Sequence, residues 1–266
     1  MVLDHMPKHF QFFKKLSLRK TFHDLLFPIH CLNCHKPNTF LCSTCLRNIK
    51  PPELQVCPVC EKAVTLNGEV CNTCRKIKNP SLERLIVTAD YKDKLLSQTI
   101  HLFKYGFLKD LAKPLSEIMI NNSQKLTIPT PDYLLPIPLH PRRLRWRGFN
   151  QAELLAQELS FKLLPGLTIP LLGDSLKPPI IRQRYTKPQK EIKNYHQRQA
   201  NLKNIFQVNN SFSWQKYNLP TNNLAGKNIL IIDDVSTTGA TLFNYADTLK
   251  TLNPKSISAI ILGRQH

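Results

Sequence analysis

Asp233 and Asp234 stand directly after four apolar residues, Ile229-Leu230-Ile231-Ile232, and directly before Val235-Ser236-Thr237-Thr238-Gly239-Ala240-Thr241. A tight loop entering a helix aims several backbone N–H groups at one point, and the helix dipole adds positive potential there. The hydroxyls of Ser236, Thr237, Thr238 and Thr241 add donors around the same spot, and Gly239 lacks the Cβ that would keep an anion away from the backbone. Paired carboxylates accept hydrogen bonds from vicinal hydroxyls or hold a hydrated Mg2+. A phosphorylated ribose satisfies both halves of such a site. A helix cap alone would explain one carboxylate and one hydroxyl, not two and four.

A second chemistry is written in the cysteines. All eight fall in four Cys-x-x-Cys pairs, Cys31/Cys34, Cys42/Cys45, Cys57/Cys60 and Cys71/Cys74, and none lies beyond residue 74. Each pair sets two thiolates on one side of a tight knuckle, and two knuckles close a tetrahedral zinc site. Eight ligands fit two Zn2+ ions. Consecutive and cross-braced pairings use all ligands equally well. A disulfide framework needs an oxidising compartment, and a redox role needs one such motif rather than four. His30 and His35 are adjacent spare ligands, read as bystanders.

A third set is basic. Leu139-His-Pro-Arg-Arg-Leu-Arg-Trp-Arg147 follows a short apolar run, with four arginines between 142 and 147. Guanidinium groups at the C-terminal edge of a sheet suit bidentate capture of pyrophosphate oxygens; alone the stretch reads as a solvated basic loop, and beside the ribose-phosphate motif the pyrophosphate role is favoured. The whole chain is basic too: 37 Lys and Arg against 18 Asp and Glu, a formal charge of +19 over 266 residues. Such a balance favours a polyanionic partner, nucleic acid before a membrane surface, although a generally basic proteome produces the same excess. No apolar run approaches bilayer-spanning length. Residues 1–20 carry basic residues throughout with no continuous apolar centre, so a cytoplasmic location is expected.

The elements that must position these groups follow from apolar periodicity. Residues 1–27 read as a basic lead-in ending in a short helix through Leu18, Phe22, Leu25 and Leu26. Residues 28–78 read as a double zinc ribbon, too short for a core of its own and folded by its metals. Residues 79–266 alternate strands and helices. Strands are expected at Leu85–Ala89, Tyr133–Pro138, Thr168–Leu172, Ile205–Val208, Ile229–Ile232 and Ile257–Leu262. Helices are expected at Asp93–Phe103, at Leu108–Ile120, and after an Asn150 cap with Glu153 as its reciprocal partner. Residues 121–132 read as a surface loop, and Pro188–Ala200 as a basic helical segment with Tyr185, Tyr195 and His196 interleaved. Five or six strands alternating with helices predict an α/β fold, a mainly parallel sheet with helices on both faces. Trp214 and Tyr217, in a polar connection, are expected to pack on the sheet.

The stretch 228–244 resembles the phosphoribosyl pyrophosphate (PRPP) motif of type I phosphoribosyltransferases. With Pro-Ile-Pro-Leu-His-Pro-Arg-Arg-x-x-x-Arg-Gly-Phe-Asn-Gln-Ala at 136–152, Arg182-x-x-x-Thr186-x-x-Gln189 and the four cysteine pairs, the chain is similar to the ComF family of competence proteins from about residue 20 onward. The resemblance implies a type I phosphoribosyltransferase-like domain behind the zinc ribbon and PRPP bound with Mg2+. The acidic pair Asp233 and Asp234 would hold the ribose hydroxyls as catalytic residues, loop 235–241 the 5′-phosphate, Arg142, Arg143 and Arg147 would face the pyrophosphate, and Thr186 and Gln189 would belong to a closing segment. It also implies handling of incoming single-stranded DNA in the cytoplasm beside a helicase-like ATPase. The reading favoured is a DNA-uptake factor that binds single strands, with a working transferase or a non-catalytic PRPP sensor as the alternatives; no segment reads as an acceptor site. Trp146, Tyr185 and Tyr195 are candidates for stacking bases.

Overall fold

The computed structural model describes residues 29–185 and 205–265. The helix expected at 18–26, Thr186, Gln189, Tyr195, His196 and the Pro188–Ala200 segment lie outside these residues. The chain divides into two compact units, 1–48 and 49–266.

In the first unit, Cys31 N donates to Lys36 O, Leu32 N to Phe40 O and Asn38 N to Ile29 O, closing a small ribbon that leads into helix α1 (Ser43–Asn48). Leu41 and Leu46 are buried, as are three of its four cysteines.

The second unit holds the rest. Helix α2 (Asn72–Lys78) ends the second ribbon. Strands β1 (Arg84–Ala89), β2 (Tyr133–Pro136), β5 (Asn228–Ser236) and β6 (Ser256–Arg264) form one sheet in the order β1-β6-β5-β2, parallel throughout. Strands β3 (Ile180–Arg182) and β4 (Phe206–Val208) make a separate antiparallel pair. The central β5 and β6 are near-continuous apolar runs because both faces are covered. Ile229, Ile231, Ala259 and Ile261 join Leu242, Tyr245 and Leu249 of helix α7 (Ala240–Lys250) in one core, with Trp214 buried among them. Helices α4 (Ala112–Ser123) and α6 (Gln151–Lys162) pack on the strands and on each other. This is the expected α/β architecture.

Several boundaries move for physical reasons. Asp93 is the cap, not the first residue, of helix α3 (Lys94–Tyr105); its carboxylate accepts from Leu96 N at 3.0 Å. The helix expected from Leu108 begins as a 3-10 turn at Lys109–Leu111, becomes α at Ala112 and continues to Ser123, so the surface loop starts later than expected. Residues 168–172 make one parallel bridge, Leu134 to Leu171, rather than a strand. The arginine stretch is a short helix, α5 (Pro141–Arg147), because His140 Nδ1 accepts from Arg142 N and Pro141 fits the first turn. Asn150 caps α6 as expected, but Glu153 accepts from the Ser175 hydroxyl.

The free edge of β1 is closed by the second ribbon. Leu85 N donates to Gly68 O and Val70 N to Glu83 O. Further along, the Gln55 side chain stands in for a strand: its Nε2 donates to Val87 O at 2.9 Å and its Oε1 accepts from Val87 N at 3.1 Å. Gly68 has φ +67, and a Cβ there would fall 2.0 Å from Leu85 O.

Candidate functional site

Strand β5 runs further than its apolar core. Pairing of Val235 with Gly263 and Ser236 with Arg264 keeps it extended to Ser236, so Asp233 and Asp234 sit within the strand and the turn is Thr237-Thr238-Gly239. Gly239 adopts φ 74 immediately before α7. A cavity of about 500 Å3 opens here. Asp233, Asp234, Val235, Ser236, Thr237, Gly239, Ala240 and Thr241 line it from one side, and Arg142, Arg143 and Arg147 from α5 face the same space. Thr238 alone of the expected loop residues is not part of its lining. Among the described residues, the acidic pair, the turn and the three arginines therefore share one cavity.

The acidic pair is electrostatically set. Asp234 is buried, forms a 2.8 Å ion pair with Lys104 Nζ, and accepts from Val235 N at 2.6 Å. Asp233 Oδ1 accepts from Asp234 N at 2.9 Å. Lost solvation, with Asp234 beside it, pushes the Asp233 carboxyl up to about 7, and Lys104 and Arg182 only partly offset this. Arg147 is 7% exposed and reaches Gln151 Oε1 at 2.6 Å; burial lowers its pKa and Asp234 opposes the shift. Its Nε and Gln151 Nε2 are buried donors with no protein partner. Arg182 is lowered to about 10 by burial, with Arg143 adding to the effect. The cavity thus combines a two-carboxylate floor with a guanidinium wall whose donors are not all spent inside the protein.

Lys104, Tyr105 and Arg182 join the site although the residue types gave no direct sign of Lys104 and Tyr105. Lys104-Tyr105-Gly106 reads in sequence as a break between helices; its nearest signal is a cation in the last turn of α3, a place where a cation suits the helix dipole anyway.

The turn is held from below. Arg264 is 6% exposed, and its Nε donates to Thr237 O at 3.2 Å while its Nη2 pairs with Glu61. Glu61 follows Cys60, so the second ribbon touches the backbone of the turn through two side chains.

The cysteines gather in consecutive pairs, Cys31, Cys34, Cys42 and Cys45 in one cluster and Cys57, Cys60, Cys71 and Cys74 in the other. This settles the pairing left open above; the cross-braced arrangement is not formed. The sulfurs of each cluster lie within 4.8 Å of one another, with Cys34 to Cys42 at 3.5 Å and Cys60 to Cys71 at 4.0 Å. Four thiolates around one Zn2+ at normal bond length stand about 3.8 Å apart. Cys42 N donates to Cys31 Sγ at 3.4 Å and Cys71 N to Cys57 Sγ at 3.3 Å, contacts that favour the thiolate. The Ala63 and Lys62 amides bring the Cys60 thiol down to about 6. Both donor sets fit zinc.

Comparison with known proteins agrees with both halves. The model of the double zinc ribbon domain matches residues 22–77, and that of the phosphoribosyl transferase domain matches residues 180–266. Competence protein F of Haemophilus influenzae is 31% identical over 241 residues, spanning 89% of this chain and 96% of that protein. DNA utilization protein YhgH of Escherichia coli K12 is 31% identical over 233 residues, 85% of this chain and 92% of that protein. Competence protein ComFC of Bacillus subtilis is 26% identical over 235 residues, 86% of each.

Proposed function

The chain belongs to the competence protein F family, and from that premise we propose that it is a DNA-uptake factor that binds single-stranded DNA in the cytoplasm and carries a PRPP site. The observation that carries the ligand reading is the shared cavity: Asp233 and Asp234 for the ribose hydroxyls and a Mg2+, the 235–241 turn for the 5′-phosphate, and Arg142, Arg143 and Arg147 for the pyrophosphate. Those three groups match the three parts of one molecule. Lys104, paired with Asp234 at 2.8 Å, supplies a further cation in the same cavity. Support for DNA comes from the +19 charge and from the names of the relatives, and the helicase-like ATPase enters as a partner through the family resemblance alone. Eight cysteines gathered as thiolate clusters suit a reducing compartment.

Calorimetric titration with PRPP and Mg2+ tests the ligand. The parent is expected to bind, and Asp233→Ala with Asp234→Ala to lose roughly 10- to 100-fold, the range for hydrogen bonds to charged groups. The Asp233 carboxyl at about 7 gives the reading a pH signature. Ionised Asp233 is the form that holds Mg2+ and hydroxyls, so affinity rises from pH 6 to pH 8 by about tenfold, and Asp233→Asn flattens that part of the profile. For folding the sign is reversed: a raised carboxyl favours the folded state while it is neutral, and this contribution is lost as pH climbs from about 4 toward 7. No binding by the parent at any pH removes the PRPP reading. Separately, affinity for an oligonucleotide should fall steeply with salt; salt-insensitive or absent binding removes the DNA reading.

A further inference from the structure

We propose that Tyr105, Trp146 and Phe107 form a stacking shelf for unpaired bases of single-stranded DNA, leading outward from the rim of the sugar-phosphate cavity. Three aromatic side chains stand together in solvent, 42%, 59% and 47% exposed in that order. Trp146 lies 6.3 Å from Tyr105 and 5.6 Å from Phe107, at interplanar angles of 59° and 66°. The Phe107–Trp146 contact is edge-on and the Tyr105–Trp146 contact tilted, so the three rings are fixed without stacking on one another. Tyr105 and Trp146 line the cavity and Phe107 continues the row beyond it.

Two observations say that the shelf is held for a ligand. The first is strain. Phe107 has φ 58, a left-handed conformation that a bulky side chain avoids, although Gly106 next to it sits at an ordinary φ of −84. Folding gains little from this arrangement, since the ring it positions is half in water. The second is charge. Arg147 lies 5.4 Å from the Tyr105 ring and 6.0 Å from the Trp146 ring, and Arg145 and Lys109, next to Trp146 and two residues from Phe107 in the chain, are exposed. Exposed aromatics interleaved with cations suit a polymer of flat rings joined by phosphates: bases stack on ring faces regardless of sequence, and the cations follow the backbone. An apolar protein partner would instead have to bury the charges of this surface. This inference rests on the reading that the chain binds single-stranded DNA, and it names where the bases go.

The test uses the full-length zinc-loaded protein, an oligothymidylate and an abasic oligonucleotide of equal length. Trp146 is exposed whereas Trp214, the other tryptophan, is 1% exposed, so emission accessible to solvent reports on the shelf. Oligothymidylate is expected to quench that emission and the abasic strand is not. Trp146→Ala should weaken oligothymidylate binding by roughly 5- to 100-fold, the range for loss of one stacked base, with no change for the abasic strand; Trp146→Phe should restore most of it. Phe107→Gly separates function from folding. It should raise the Tm, because glycine accepts the left-handed backbone, while weakening oligothymidylate binding several-fold. If both strands bind the parent equally and Trp146→Ala changes neither, the shelf is wrong while the DNA reading stands. If neither strand binds, both fall.

Discussion

The two cysteine clusters begin from the same knuckle and end in different company. In the first, His35 follows Cys34 at φ 61 and donates its amide to Cys31 O at 3.0 Å; in the second, Glu61 follows Cys60 at φ 59 and donates to Cys57 O at 2.9 Å. An amide side chain stands near each: Asn33 Nδ2 donates to Cys45 Sγ at 3.3 Å, within its own cluster, whereas Gln55 pairs with Val87 of the sheet. The first ribbon belongs to a unit ending at Asn48, and the second is part of the compact unit 49–266. Repetition of a motif therefore does not mean repetition of a role. The same metal-binding turn serves once in a small ribbon and once in covering a sheet edge and bracing the Thr237-Thr238-Gly239 turn.

The largest effect that can break this comparison comes from removing ligands. Cys57→Ser with Cys74→Ser removes the metal that holds residues 55–70 against β1, and with it the cover of that edge. The unit should unfold or aggregate through the exposed strand, losing PRPP binding. Cys31→Ser with Cys45→Ser should also release one zinc ion, yet leave PRPP affinity within about twofold, as expected for independent sites. Zinc content and PRPP calorimetry on the two variants decide it; equal loss of binding in both would show that the clusters act as one.

That asymmetry was not legible in the sequence, and the reason is physical. Cys-x-x-Cys spacing encodes local turn geometry, which is why zinc chemistry could be read directly. What each ribbon packs against depends on Gly68, Gln55 and Glu61, residue types found anywhere on a surface. The parallel sheet was legible for a similar reason: Ile229–Ile232 and Ile257–Leu262 are apolar on both faces, and only a doubly covered strand needs that. By contrast β3 is three residues long and depends on β4 for its pairing, and the bridge at Leu171 replaces a strand because Leu134 alone meets it. In the site, Asp233, Asp234 and Gly239 announced themselves by type and order. Lys104 did not, because it comes from a distant helix and its importance lies in a 2.8 Å approach to Asp234.

A smaller effect sharpens the comparison at the sheet edge. Gln55→Ala leaves the Val87 N–H and C=O without their side-chain partner in a partly buried place, at a cost of about 1–3 kcal/mol. In a unit of this size that corresponds to a Tm lower by roughly 2–10 °C, with zinc content unchanged. Asn33→Ala in the first ribbon removes one weak contact to sulfur and should move the Tm hardly at all. Thermal melts with metal analysis on the same samples compare the two amides directly, and a larger loss for Asn33→Ala would reverse the assignment of roles.

The smallest expected effect is the most specific, because it compares the two residues at the equivalent left-handed position. Glu61→Gln weakens the pair with Arg264, whose Nε holds Thr237 O beneath the turn proposed for the 5′-phosphate. The Glu61 side chain is 35% exposed, so the stability cost stays below about 1 kcal/mol. The turn, however, loses the anchor that keeps Arg264 in place, and PRPP affinity should fall a few-fold, roughly the effect of one loosened hydrogen bond. His35→Gln at the matching position of the first ribbon should leave that affinity unchanged. Arg264→Met extends the test: removing the cation takes away both contacts at once, so it should exceed Glu61→Gln in its effect on PRPP while zinc content stays the same. If Glu61→Gln and His35→Gln bind PRPP alike, the turn keeps its shape without help from the ribbon, and the second cluster serves the sheet edge alone.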